Sequence, residues 1–330
     1  MENTMSEKRA DSGDAIVVES VVKSFGEVKA LRGIDFRVPA GSVLGVLGPN
    51  GAGKTTTVSV LSTLIRPDSG RAVVAGYDVV RDAAEVRKSI MLTGQYAALD
   101  EMLTGRENLV LFGRLLGLRR RAARQRADEL LERFSLTEAA DRRVGQYSGG
   151  MRRRIDIACG LVRSPRVVFL DEPTTGLDPV SRQQLWALVR ELKAQGVTIL
   201  LTTQYLEEAD ALSDNIIVVD KGTVIAEGTA DVLKARSGSS YCEVVPVDPG
   251  DVPAVVAALS PLAECTVADS ADRVSLPAPD GAATLTAALA RLTEADIELI
   301  DIALRRPSLD EVFIRLTTRS EETDAVEVTA

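Results

Sequence analysis

Histidine is absent from all 330 residues. That excludes imidazole general bases, histidine proton switches and histidine-ligated metal centres. Aromatic residues make up only 4% of the chain, too few for a surface that stacks successive bases. Cysteine is almost absent as well. Cys159, Cys242 and Cys265 are odd in number and lack metal-type spacing, so buried, reduced thiols are expected. No run approaches the roughly 18 to 20 apolar residues of a membrane span, and the N-terminal stretch MENTMSEKRADSGDA has no signal-peptide core. The expectation is a chain made soluble that stays in the cytosol. Positive charge is in deficit, with 39 Lys and Arg against 48 Asp and Glu and a net charge of −9. Nucleic acid, or an anionic membrane held by bulk charge, is disfavoured as a partner. What the chain has in quantity is apolar side chain: 45% hydrophobic over this length supports one large domain with a smaller one.

The stretch Gly48, Pro49, Asn50, Gly51, Ala52, Gly53, Lys54, Thr55, followed by Thr56, fills the phosphate-loop pattern G-x-x-x-x-G-K-[ST] completely. Ser42 to Leu47 before it reads as a buried strand. Lys54 to Leu64 after it reads as a helix with Val58, Leu61 and Leu64 on one face. Three glycines let the backbone turn tightly, so that successive N–H groups face a polyphosphate at the positive end of the helix. Lys54 then meets the β- and γ-phosphates, the Thr55 hydroxyl is a Mg²⁺ ligand, and Thr56 reaches the α-phosphate.

In chain order, residues 1 to 13 are expected to be disordered. Ile16 to Val22 and Ile34 to Val38 read as strands of a small antiparallel sheet. Phe25 between them is either a core residue or an exposed ring that stacks on a base. Short strands follow at Ala72 to Ala75 and Ile90 to Thr93, with Gln95 just after the second. From about residue 101 to 163 the pattern is helical. Its arginines (Arg119, Arg120, Arg121, Arg124 and Arg126) read as a solvated face or as a docking patch for an acidic partner. Tyr147-Ser148-Gly149-Gly150-Met151 opens a further helix. Ser148 is either a plain N-cap there or, with two glycines, part of an anion site.

Val167 to Leu170 is a buried strand ending in Asp171-Glu172-Pro173, a Walker B arrangement. Asp171 would hold Mg²⁺ through water and Glu172 would take a proton from an attacking water. Asp178 lies in a turn before a helix, and Thr198 to Thr203 is one more buried strand with Gln204 at its tip. Strands alternating with helices imply a mainly parallel sheet with the site at its C-terminal edge. Residues 237 to 240 read as a linker. Beyond them the order β-α-β-β-α-β over 241 to 317 suggests a ferredoxin-like unit, ending in a helix from Pro307 to Leu316 and a loose tail from 318.

Over residues 14 to 236 the motifs together resemble the nucleotide-binding subunit of an ATP-binding-cassette transporter. The implied fold is an α/β P-loop cassette, with a mainly parallel sheet, an antiparallel β subdomain and a helical subdomain, followed by the small C-terminal α+β domain. The resemblance implies ATP and Mg²⁺ as cofactors. By it, Phe25 stacks on adenine and Gln95 is the Q-loop residue that senses Mg²⁺ and γ-phosphate. Ser148, Gly149 and Gly150 form the signature that grips the γ-phosphate held by the opposite subunit, and Asp178 lies in the D-loop. It also implies a homodimer sandwiching two ATP molecules, on a separate membrane permease at the inner face of the cell membrane.

Two positions depart from the family pattern. The signature reads YSGGM where the family commonly has LSGGQ, and Gln204 replaces the switch histidine. Glutamine can donate a hydrogen bond but cannot carry a proton, which leaves Glu172, with Lys54 and Mg²⁺, to support hydrolysis. The segments Gly150 to Ala158, Gln204 to Asp210 and Arg305 to Phe313 are similar to the daunorubicin/doxorubicin-resistance type, which exports hydrophobic drugs or complex lipids. Two other readings stand beside it: a soluble cassette ATPase of translation or DNA maintenance, and a regulatory ATP binder with negligible turnover. The roughly 115 residues between Lys54 and Asp171 lack the sustained heptads of a coiled-coil insertion. The C-terminal unit is expected to regulate or dimerise rather than only to stabilise.

Overall fold

The chain alternates runs that satisfy a strand with runs that satisfy a helix, and the computed structural model assembles them around a parallel sheet. It describes residues 13–94, 99–237, 240–268, 270–305, 308–309 and 312–313. Gln95, the ends at 1–12 and 314–330, part of the 237–240 linker and most of the final helix lie outside the described residues. Two compact units divide between Ala230 and Asp231.

In the first unit, β1 (Asp14–Phe25) and β2 (Val28–Pro39) form an antiparallel hairpin. Its two-residue connection uses Gly26 at φ 59°, the positive φ that tight hairpin turns need. Both strands run longer than the sequence pattern implied. β4 (Ser69–Val74) and β5 (Tyr77–Asp78) complete a four-stranded sheet in the order β2-β1-β4-β5.

The second sheet has the order β10-β9-β3-β8-β7-β6. Its members are β3 (Val43–Leu47), β6 (Ile90–Thr93), β7 (Val167–Asp171), β8 (Thr198–Thr203), β9 (Asn215–Asp220) and β10 (Thr223–Gly228). All pairings from β9 to β6 are parallel, and only the β9–β10 hairpin is antiparallel. Every residue of β3, β7 and β8 is buried, as expected where both faces of a parallel sheet are covered. Alternation along the strands then feeds two cores. Val43, Val168, Leu170, Ile199 and Leu201 join one core, which contains Ile155, Ala158, Leu185 and Val189. Leu44, Val46, Val167, Phe169 and Leu200 join the other, with Val58 and Leu61 and the antiparallel strands.

The helix after the phosphate loop, α1 (Lys54–Leu61), is shorter than the pattern predicted. Val58 and Leu61 are buried, but Leu64 is 66% exposed. The helix stops because Thr63 turns left-handed at φ 67°, which carries Leu64 off the helical face. After α2 (Ala83–Ser89), the helical stretch consists of α3 (Gly105–Leu115), α4 (Arg120–Arg133) and α5 (Gly149–Gly160). α3 opens with a reciprocal capping box between Thr104 and Glu107. Arg119, Arg120, Arg121 and Arg124 are exposed. Arg126 instead donates to the Leu161 and Val162 carbonyls that follow α5. α6 (Pro179–Ala194) and α7 (Leu206–Leu212) flank β8 in sequence.

α8 (Ala230–Ser237) begins at the division between the units. The second unit has β11 (Tyr241–Pro246), α9 (Val252–Leu259), β12 (Thr266–Val267), β13 (Val274–Pro277), α10 (Ala282–Glu294) and β14 (Leu299–Arg305). Its sheet order is β12-β13-β11-β14 with every pairing antiparallel, which is the ferredoxin-like arrangement. Cys242, Val244, Val274 and Leu276 pack with Val255, Leu259, Ala288 and Leu292 as its core. Of the three free thiols, Cys159 and Cys242 are buried as expected, whereas Cys265 is only half-buried. Among the described residues no helix is long and apolar enough to cross a membrane.

Candidate functional site

The loop between β3 and α1 is shaped by close backbone packing. A side chain at Gly48 would sit 2.3 Å from the Val219 carbonyl, and one at Gly53 would sit 2.7 Å from that of Ala30. Gly53 also adopts φ 108°, open to glycine and costly for other residues. Lys54 is buried, and its Nζ donates to the Gly48 and Pro49 carbonyls at 2.8 and 3.0 Å. The lysine thus lies curled inside its own loop, 3.5 Å from Glu172 Oε1.

β7 delivers Asp171 and Glu172 to the same place. Thr55 Oγ1 donates to Asp171 Oδ1 at 3.3 Å, which joins the first helical turn to the strand end. Thr202, on the neighbouring strand β8, donates to Asp171 Oδ1 at 2.5 Å and accepts the Glu172 N–H at 3.1 Å. Lys54-Thr55 and Asp171-Glu172, two pairs far apart in sequence, therefore form one cluster. A buried cation, a hydroxyl and two carboxylates beside a glycine-rich helix start suit a polyphosphate with a divalent cation. Among the described residues no group of three or more metal-binding side chains forms an all-protein cage. Thr55 is exposed, Thr56 is half-buried, and Gln204 is half-buried just beyond β8.

Phe25 is 52% exposed at the hairpin end, with Lys23 Nζ 5.6 Å from its ring. It is a surface ring and not a core residue. Lys23 also pairs with Asp68 at 2.7 Å, and this hydrogen bond holds the Asp68 carboxyl below the usual range.

Ser148, Gly149 and Gly150 belong to a second group, at the start of α5. Ser148 caps the helix by accepting the Met151 N–H at 3.3 Å. Tyr147, which replaces the family's leucine, is buried and donates to the Ala139 carbonyl at 2.7 Å. Its ring thereby fixes the turn, and burial pushes its phenol pKa up. Met151 at the other variant position lies 3.4 Å from Arg142 Nη2. Asp178 is the N-cap of α6, accepting from Val180 and Ser181 N–H groups at 3.0 Å and from Ser181 Oγ at 2.6 Å. Those bonds, Ser181 first, lower its pKa. A Cβ at Gly150 would fall 2.2 Å from Ser181 Oγ, so the second glycine lets α5 approach α6.

Sequence reading missed Thr202, Ser181, Arg153 and Glu208. Thr202 and Ser181 look like ordinary strand and helix polar residues. Arg153 sits in a run of three arginines whose charge pattern is uniform. Glu208 is fully buried, with Trp186 Nε1 donating to its Oε1 at 3.3 Å, and burial raises its pKa.

A profile described as ABC transporter matches residues 31–175. The doxorubicin resistance ATP-binding protein DrrA of Mycobacterium tuberculosis is 60% identical over 93% of this chain and 95% of its own. The daunorubicin/doxorubicin resistance ATP-binding protein DrrA of Streptomyces peucetius is 49% identical over 92% of each chain. In Bacillus subtilis, the linearmycin resistance ATP-binding protein LnrL is 36% identical over 92% of this chain and 98% of its own. Among solved structures, an ATP-binding subunit of an ABC transporter superposes with a TM-score of 0.61 at 29% identity, covering 67% of this chain and 92% of that one. An ATP-binding cassette solved as a dimer with ADP and Pi, in a post-hydrolysis state, gives 0.60 at 26% identity, covering 65% and 98%.

Proposed function

This chain belongs to the ABC transporter family of ATP-binding proteins, and on that premise we propose that it powers export of a hydrophobic antibiotic or complex lipid. It is the ATP-hydrolysing subunit, and a separate membrane permease carries the compound. The observation that carries the reading is the convergence of Lys54, Thr55, Asp171 and Glu172 at one loop. The resistance ATPases matched over nine-tenths of the chain support the class of cargo.

In this reading Lys54 leaves the Gly48 and Pro49 carbonyls for the β- and γ-phosphates. The loop N–H groups from Asn50 to Lys54 cradle the chain of phosphates, and Thr56 meets the α-phosphate. Thr55 would hold Mg²⁺ directly and Asp171 through water, with Gln95 as the third residue at the metal. Mg²⁺ supplies charge neutralisation at the phosphates. Glu172 orients the attacking water and takes its proton, while Gln204 donates a hydrogen bond to the γ-phosphate. Phe25 stacks on adenine, and Gln95 senses the metal site. Two chains close head to tail, so that Ser148, Gly149 and Gly150 of one meet the γ-phosphate held by the other, with Asp178 across the interface. The chain works at the cytoplasmic face of the membrane through its permease.

The test is ATP-dependent dimerisation of wild type beside Glu172→Gln, with phosphate release followed in parallel. Turnover in the wild type and an ATP-trapped dimer in the variant are expected. A wild type that also stays ATP-loaded, even with its permease, overturns hydrolysis and leaves a nucleotide-gated switch.

A further inference from the structure

Glu172 has a left-handed backbone, with φ 46°. A glutamate holds this conformation only where its surroundings over-determine it. On one side the Glu172 N–H is tied to Thr202, to its carbonyl and to its Oγ1, both at 3.1 Å. On the other side the next carbonyl, Pro173 O, accepts from Arg153 Nε at 3.0 Å.

Arg153 is on α5, three residues after Gly150, and its side chain is only 12% exposed. Each guanidinium nitrogen is engaged. Nη1 donates to Gly94 O at 2.8 Å and Nη2 reaches Thr93 Oγ1 at 3.3 Å, at the end of β6. Asp156 lies 3.6 Å from Nη1. Burial pushes the guanidinium pKa down, and the charges of Asp156, Asp171 and Glu208 push it back. The neighbouring arginines go elsewhere. Arg152 binds Glu101 and the Gly145 carbonyl, and Arg154 binds the Phe134 carbonyl. Within the triplet, Arg153 is the arginine that reaches the ends of the parallel strands.

We propose that Arg153 is a positioning residue for hydrolysis: through Pro173 O it holds Glu172 in its left-handed conformation, and it links that geometry to Thr93-Gly94 and to the signature helix. The proposal rests on the reading of Glu172 as the base. A fork of fixed donors suits the task, because three acceptors on two separate segments must be held at once. A lysine supplies one point charge and cannot span them.

The experiment uses the full chain as Arg153→Lys and Arg153→Gln, each alone and in the Glu172→Gln background. Amide hydrogen exchange over residues 172–176 is expected to accelerate at least tenfold in both variants. ATP turnover should fall about 10- to 100-fold with KM for ATP within about threefold, the pattern of a misplaced group rather than lost binding. In the Glu172→Gln background, Arg153 substitution should remove no further activity, although any change in melting temperature persists. If Arg153→Gln does not fold, Arg153→Lys decides. Unchanged exchange over 172–176, or a loss carried by KM alone, overturns the proposal. A wild type without turnover counts against the ATPase reading instead, and exchange alone then decides the positioning role.

Discussion

Thr202 Oγ1 bridges the two acids at the end of β7, donating to Asp171 at 2.5 Å while accepting the Glu172 N–H at 3.1 Å. Thr202→Val keeps the shape and removes the bridge, leaving a buried carboxylate short of a donor. A loss of about 1–3 kcal/mol in unfolding free energy is expected. The Mg²⁺ concentration for half-maximal ATP hydrolysis should rise, because Asp171 is no longer aimed at Thr55. Thr202→Ser should behave as wild type. Equal urea midpoints and equal Mg²⁺ titrations for the Val and Ser variants would show that the bridge is incidental.

Gly150 and Ser181 make a second coupled pair. A methyl at Gly150 would meet Ser181 Oγ at 2.2 Å and Ser181 Cβ at 2.9 Å. Rotating the hydroxyl away breaks its bond to Asp178 and still leaves the Cβ too close. Gly150→Ala should therefore cost about 1–3 kcal/mol by overpacking and weaken ATP-dependent dimerisation. Adding Ser181→Gly returns the space at the expense of one cap bond. The double variant should dimerise better than Gly150→Ala alone. Strictly additive losses in a double-mutant cycle would mean that the two sites do not touch in solution.

Glu208 sets a pH dependence of opposite sign to the familiar ion-paired carboxylate. Burial raises its folded pKa above 4.5, so between that value and the raised one the native state binds more protons than the unfolded state. Stability then falls as pH rises through the window and levels off above it. Glu208→Gln keeps an acceptor for Trp186 and removes the titration. The variant's stability relative to wild type should therefore grow from pH 4.5 upward, as read from urea midpoints across pH. A constant difference across pH would exclude the buried charge as its cause. Asp178 runs the other way: its lowered pKa keeps the α6 cap charged below pH 3.8, and that contribution is lost only as acid titrates it.

Much of this was legible beforehand. The strand, glycine loop and helix around Gly48 to Thr55 are written in consecutive residues, and Asp171-Glu172 stands at the end of an uninterrupted apolar run, so this local geometry could be read from the chain alone. The ferredoxin-like order of the last unit followed from alternating pattern lengths. Thr202 and Arg153 could not be read this way. Their roles depend on which strands become neighbours and on which of three adjacent arginines points inward, and neither composition nor period encodes that. Leu64 failed for a local reason: the left-handed Thr63 ended the helix one turn early.

Gln204 stands where the family has a histidine, half-buried beyond the last residue of β8. Gln204→His would place the chain's first imidazole just past the end of β8, the strand between those that lead to Lys54 and to Glu172. An unperturbed imidazole titrates near pH ~6.5, where the wild type has no histidine to respond. The variant's ATP turnover should therefore gain an inflection between about pH 6 and 7 that the wild-type profile lacks. If the missing proton carrier limits hydrolysis, its maximal rate should also exceed that of wild type, with KM for ATP little changed. Asn at 204, shorter by one methylene, should lower turnover without adding any inflection, because it only shortens the reach of the donor. Superimposable pH profiles for the glutamine and histidine proteins would show that residue 204 does not face the reacting phosphate, and hydrolysis would then rest on Glu172 without help from β8.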